Sequence, residues 1–261
     1  DDMAKYTYLD KTLHRQFLGD HPLSNYLFQR LLIKSKKLDE KLLENSQFIF
    51  VTGLARAGTT ALLNRLYASE NLSSILYSHM PFVLNPKIAN LFLRYFNNKS
   101  TFKVERSHND GILINNKSPE CLDEVFWIKA YKNYFHNDSF QVDEINKDLL
   151  KGYGYLLFSF ADLQKKSRIL VKNNNNHTRL LSLSRFFKKS IFLFLFRDPF
   201  SHAKSLLKQH INFLELQKRD PFVREYMHLI GHREFGIDAV PFTYPSSKAK
   251  WYLGEDKENL T

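Results

Sequence analysis

One cysteine, Cys121, is all that the chain carries, which excludes an internal disulfide and any zinc site built from cysteines. Long apolar runs are missing as well. The longest, Ile191 to Phe196, has the length of a strand, whereas a membrane-spanning helix needs about 20 such residues. There is no internal repeat, so solenoids and arrays are set aside. Acidic residues are outnumbered, 27 Asp and Glu against 38 Lys and Arg, which leaves a net charge of +11. A surplus of that size concentrates anions near the surface, so phosphorylated cofactors, polyanionic glycans, nucleic acid and acidic membrane are the partner classes to weigh. What remains is ordinary for a globular chain of 261 residues: 43% hydrophobic, 25% charged and long enough for one large domain with a sizeable core. The chain opens on Asp1 and stops in the polar run EDKENLT, so we expect a piece truncated at its C-terminus.

Periodicity divides the sequence into helical and extended stretches. Residues 1–46 read as a basic helical segment, with Leu23, Tyr26, Leu27, Leu31 and Leu32 at helical spacing. Packing on the rest of the chain explains that spacing more simply than a membrane-surface or partner helix does. Strands are predicted at 48–52, 75–78, 167–172 and 191–196, and helices from the end of the 53–58 loop to 69, at 81–96, 119–131, 178–188 and 199–216. Strands alternating with helices imply crossover connections and a mainly parallel sheet. In such sheets chemistry lies beyond the carboxyl ends of the strands. Gly53, Ser78-His79, Lys172-Asn173 and Arg197-Asp198 occupy those predicted ends. The run of four asparagines, 173–176, reads as a polar strand-to-helix turn.

Two motifs carry chemistry. The first, FIFVTGLARAGTT over 48–60, is a strand, a turn bracketed by Gly53 and Gly58, and a helix start. That spacing lets backbone N–H groups curl around an anion at a helix N-terminus. After Gly58 stand Thr59 and Thr60, where a nucleoside triphosphatase would carry Lys-Ser or Lys-Thr, and the cation sits inside the loop at Arg56. In the second motif, Arg197 closes the strand IFLFLF, Asp198 and Pro199 follow, and Ser205 lies one to two turns into the next helix. A planar guanidinium fork and a hydroxyl at that spacing can face one phosphate.

Both motifs, in this order and strand context, resemble the sulfotransferases that use 3′-phosphoadenosine 5′-phosphosulfate (PAPS). Strand, Lys172, Asn-rich turn, helix, strand and Arg197 resemble the lysine-bearing segment of the bacterial-type and tyrosylprotein branch, and the arginine in the first loop is similar to that branch too. The resemblance implies an α/β, P-loop NTPase-like three-layer fold with a mainly parallel central sheet. It implies a single domain over 1–261, with the N-terminal helical segment 1–46 and a PAPS-binding core over 47–217. Ala57, Gly58, Thr59 and Thr60 would then hold the 5′-phosphosulfate, Arg197 and Ser205 the 3′-phosphate, and Arg56 and Lys172 the transferring sulfuryl group and its bridging oxygen. PAPS would be the donor and PAP the product, with no metal, because fixed cations do the work magnesium does for ATP. The acceptor would be a hydroxyl of a sugar, glycolipid or peptide, with no nucleic acid partner, and the compartment would be cytoplasmic or a Golgi-type lumen.

The acceptor hydroxyl needs a base, and His79 is the expected one, since imidazole titrates near neutrality. The tyrosylprotein branch has a glutamate at about this place, a pattern from which this sequence departs; Glu120 is the first rival and His108 the second. A structural histidine at 79 and a helix-start carboxylate at 120 are the plain alternatives. His228 and His232 stand four apart without the intervening glutamate of a zinc-protease helix or an evident third ligand. Two other readings compete: a nucleotide kinase or ATPase, opposed by the missing lysine after Gly58, and a polyanion-binding module, which leaves the two ordered phosphate motifs unexplained.

Overall fold

The computed structural model describes residues 6–69, 71–96, 104–105, 113–120, 122–131, 135–136, 139–140 and 145–242. Three helices lead: α1 (Tyr8–Leu18), α2 (Pro22–Ser35) and α3 (Glu40–Asn45). Thr7 and Asp10 cap α1 reciprocally, and a proline in the first turn of α2 supplies a preset φ where its missing N–H costs nothing. Strand β1 (Gln47–Thr52) and helix α4 (Thr59–Tyr67) follow, then the two-residue β2 (Leu72–Ser73), a 3-10 turn (Tyr77–His79) and α5 (Pro86–Phe96). Two short hairpins, β3 (Val104–Glu105) with β4 (Leu113–Ile114) and β5 (Phe135–His136) with β6 (Ser139–Phe140), flank α6 (Glu124–Ala130). The remainder is α7 (Lys147–Leu163), β7 (Arg168–Lys172), α8 (Asn176–Phe186), β8 (Ile191–Phe194), α9 (Pro199–Arg219) and α10 (Pro221–Leu229).

The main sheet runs β2-β7-β1-β8 with every pairing parallel. Alternate side chains of β1 serve two cores, as strands covered on both faces must. Phe48 and Phe50 join Ile169, Val171, Phe187 and the inner faces of α2, α6 and α7. Val51 and Leu170 point the other way, onto Leu63 of α4. The result is a three-layer α/β arrangement with helices on both faces. Phe50 stacks on Phe192 across the β1–β8 pair at 5.0 Å between ring centres. Register places Val51 opposite Lys172 and Thr52 opposite Phe194, so the carboxyl ends of β7, β1 and β8 share one edge. Among the described residues, no helix is long and apolar enough to cross a membrane.

Several predicted boundaries move: α5 starts at Pro86 rather than 81, β8 ends at Phe194 rather than 196, and α8 covers 176–186 rather than 178–188. The second strand is β2 at Leu72–Ser73 rather than 75–78, and the backbone of 75–78 pairs elsewhere: Tyr77 N–H donates to Ser118 O, Ser78 N–H to Asn116 O, and Ile75 O accepts from Glu120 N–H. That local ladder takes the segment out of the sheet and draws Glu120 beside the 3-10 turn. Helix α6 correspondingly starts at Glu124 rather than 119.

Candidate active site

The turn after β1 is shaped by its glycines. Gly53 has φ +140°, and a Cβ there would collide with the carbonyl oxygen of Leu195 in the neighbouring strand segment. That approach is close because Leu195 N–H donates to Thr52 O at 2.8 Å. Ala57 N–H closes the turn on Leu54 O at 3.2 Å. Gly58, at φ +96°, opens α4 without a side-chain cap, and a Cβ there would meet nothing within 4 Å. The space in front of the helix start is therefore open, and the first N–H groups of a helix have no partner within it. Arg56 sits in this loop with a left-handed φ of 70°, a conformation that costs a non-glycine residue about 1–2 kcal/mol. Such strain persists only where the surrounding structure holds it, and it clusters at functional sites.

Helix α9 grips the loop. Asp198 caps it by accepting Ser201 N–H at 2.9 Å, a bond that holds its carboxyl below the usual range. The acid at this strand end is therefore a helix cap, and among the described residues no group of His, Cys, Asp and Glu could hold a metal ion. His202, buried, donates from Nε2 to Ala55 O at 2.7 Å, and Arg56 Nε donates to Ser205 Oγ at 3.2 Å. The structure thus brings Ser205 to Arg56. Arg197 is exposed just ahead of α9.

Lys172 ends β7 and is 5% exposed. Its Nζ lies 2.8 Å from Glu120 Oε1, and Tyr77 OH donates to Glu120 Oε2 at 3.2 Å. Asn174 ties this edge to the loop, its side-chain oxygen accepting from Thr59 Oγ1 at 3.0 Å and its carbonyl from Thr52 Oγ1 at 3.2 Å. His79 is placed differently from the expectation of a base at a strand end. It lies in the 3-10 turn, with Nδ1 accepting Leu76 N–H at 3.0 Å and its ring stacked on Phe160 at 4.4 Å. Burial lowers its pKa to about 4. His108 lies outside the described residues. His228 is in the last turn of α10 and His232 beyond its end, so they do not share a helix face.

The model of the sulfotransferase family matches residues 48–234. The chain belongs to the sulfotransferase family. A search of curated proteins finds no match. Among solved structures, sulfotransferase STF1 from Mycobacterium tuberculosis H37Rv is similar at 13% identity and a TM-score of 0.45, over 80% of this chain. The chain spans 60% of that structure's length.

Arg56, in the loop after β1, and Lys172, at the end of β7, lie at the carboxyl edge of the sheet, where the two strands are paired residue for residue up to Val51 and Lys172. Several contributors were invisible to pattern reading. His202 looked like any helix residue, although its place inside RDPFSHAKS, three before Ser205, was a usable signal. Tyr77 acquires its role only through the backbone ladder to 116–120. The asparagine run signalled a turn, and all four side chains are engaged, Asn173 and Asn175 both with Glu124, Asn174 with Thr59 and Asn176 with Arg179.

Proposed function

We propose that this sulfotransferase moves a sulfuryl group from PAPS to a hydroxyl of a sugar, glycolipid or peptide by in-line displacement. The observation that carries the reading is the strained Arg56 inside a glycine-bounded loop, bridged to Ser205 and two residues ahead of the open position at Gly58. A phosphosulfate fits this cradle: the amides at Gly58 and Thr59 and the Thr60 hydroxyl are its donors, the Ala57 N–H and the Thr59 hydroxyl brace the loop on Leu54 and Asn174, and the open side at Gly58 leaves room for the anion. PAPS, when bound, supplies the activated sulfuryl group and a phosphate leaving group. Arg56 and Lys172 stabilise the charge that builds on the bridging and equatorial oxygens, and one such preorganised donor is worth about 3–4 kcal/mol. Ser205 orients the Arg56 guanidinium through a lone pair, which leaves its O–H to donate, together with Arg197, to the 3′-phosphate.

Glu120 is the proton acceptor this geometry favours. Its carboxylate adjoins Lys172, so a hydroxyl presented to the sulfuryl group lies within reach of both. His79 has one ring nitrogen engaged and a pKa of about 4, which leaves it a poor partner for a hydroxyl proton. Its part is to hold the turn that presents Tyr77.

Thermal shift with PAP, with ATP plus magnesium and with heparin tests the reading. Stabilisation by PAP in the presence of a chelator, lost in Arg197→Ala, is the expected result. An absent response to PAP overturns the donor assignment, and a response confined to ATP plus magnesium restores the kinase reading.

A further inference from the structure

Directly behind Lys172 lies a buried ionic cluster that sulfuryl transfer does not itself use. Glu124, the first residue of α6, accepts from Arg179 at 2.7 and 2.8 Å, from Asn175 Nδ2 at 2.9 Å and from Asn173 Nδ2 at 2.7 Å. Asp123 accepts from Tyr153 OH at 2.7 Å and from the same Asn173 Nδ2 at 2.9 Å. Arg179 is fully buried, its guanidinium 4.7 Å from the Trp127 ring centre. Burial pushes the Asp123 carboxyl up, opposed by the bonds from Asn173 and Tyr153. Even Gly231 serves the cluster, since a Cβ there would fall 2.6 Å from Glu124 Cγ.

Stability alone is a weak reason to keep such a cluster. Desolvating each ion costs several kcal/mol, and well-packed apolar groups of the same volume often do as well or better. Geometry supplies a stronger reason. Asn173 is the residue after Lys172, its backbone N–H is bonded to Val51 O at 3.0 Å, and its side chain is clamped by two carboxylates from the start of α6. Glu120 leads into that same start, with its carbonyl accepting Leu122 N–H at 3.0 Å. Both halves of the Lys172–Glu120 pair are therefore registered against one buried object.

We propose that Asn173 and Glu124 are positioning residues, which hold the Lys172 ammonium in register with Glu120 and the phosphate loop. The inference rests on the reading of Lys172 as the group that acts on the sulfuryl oxygens. Neither residue touches donor or acceptor. Their effect runs through the placement of one cation, and a misplacement of about 1 Å at a reacting centre costs on the order of 100-fold in rate.

Two variants and two readouts test it. Asn173→Ser keeps a local hydroxyl for the turn but cannot span to the carboxylates. The double variant Glu124→Leu/Arg179→Met removes the buried Glu124–Arg179 ion pair while roughly preserving volume, and it leaves Asp123 in place. Leu31→Ala, in the α2 core, serves as a control of comparable destabilisation. The first readout is acylation of Lys172 by acetic anhydride on intact protein, quantified by peptide mass spectrometry. We expect labelling to rise about fivefold or more in Asn173→Ser and in the double variant and to stay at the wild-type level in Leu31→Ala, because the cluster holds in register the Lys172–Glu120 pair that protects that amine. The second is steady-state kinetics, where kcat should fall about 30-fold with the affinity for PAP within about threefold of wild type. Unchanged Lys172 labelling in Asn173→Ser, or a kcat loss no larger than that of Leu31→Ala, overturns the proposal. If the wild-type protein itself fails to bind PAP, the donor assignment falls, and the labelling result still decides whether the cluster positions Lys172.

Discussion

At the scale of single residues, Arg56 concentrates the conflict between stability and function. Its left-handed φ of 70° is tolerated because the loop and Ser205 hold it there. Glycine adopts that conformation freely but loses more chain entropy on folding, so Arg56→Gly should leave stability unchanged or raise it by up to about 1 kcal/mol. Transfer should fall by about 100- to 1,000-fold, the cost of losing one preorganised donor. Urea unfolding and single-turnover kinetics on the same preparation check both halves. His79 offers a second measurement. Its folded pKa of about 4 lies below the ordinary 6.5, so the unfolded chain binds the extra proton in that interval. Stability is therefore fully present above pH 6.5 and is lost as pH falls toward 4, by about 3 kcal/mol if this residue acts alone. His79→Gln should flatten the fall in unfolding free energy between pH 6.5 and 4 while keeping turnover within a few-fold. Glu120→Gln should cost about 100-fold or more in kcat.

At the scale of elements, β1, β7, β8 and α9 were legible because each shows an uninterrupted apolar run or a firm start signal such as Asp198-Pro199. Helix α7 was not. Its GYGYLLFSF stretch contains Gly152 and Gly154, each about 1 kcal/mol unfavourable in a helix, and it is apolar all round because α2, α3 and α5 surround it. The glycines are explained only by tertiary contacts: a Cβ at Gly152 would fall 2.5 Å from Leu32 and one at Gly154 2.9 Å from Leu43. The misplaced second strand has a similar cause, since Ile75 to Ser78 is apolar enough for a strand but spends its backbone bonds on 116–120. The glycine-bounded turn between β1 and α4 was readable from local spacing, whereas Glu124, Arg179 and Tyr77 meet their partners across roughly 40 to 55 positions, beyond any local pattern. The β1–loop–β8 junction gives the element-scale prediction. Gly53→Ala places a methyl against the Leu195 carbonyl at a φ that L side chains rarely adopt. Neither strand can give without breaking the Thr52–Leu195 bond. A loss of about 3 kcal/mol or more is expected, read as a lowered urea midpoint, together with loss of the response to PAP. A neutral effect would mean that the loop is not locked to β8 as described.

For the whole molecule, the net charge of +11 becomes interpretable once the site is placed. Arg56, Lys172 and Arg197 all belong to the carboxyl edge of the sheet, so the general excess of cations and the local cluster favour the same kind of ligand. PAP carries two phosphates of about −1.5 to −2 charge each. Attraction at long range is screened beyond about 10 Å at 0.1 M salt and about 3 Å at 1 M, while the buried Lys172 is screened much less. Raising salt from 0.05 to 0.5 M should therefore weaken PAP binding by about tenfold and no more, chiefly through a slower association rate. Inorganic sulfate, tested at equal ionic strength against chloride, should compete more strongly, because it offers tetrahedral oxygens to the loop amides. Chelation should leave PAP affinity unchanged, since side-chain cations carry the charge-neutralising role that a metal takes in triphosphate enzymes. Titration calorimetry across the salt series, with and without chelator, separates the possibilities. A flat salt response would detach the overall charge from the site and assign it to another surface. A requirement for magnesium would return the glycine-bounded loop to the triphosphate chemistry that the absence of lysine after Gly58 argues against.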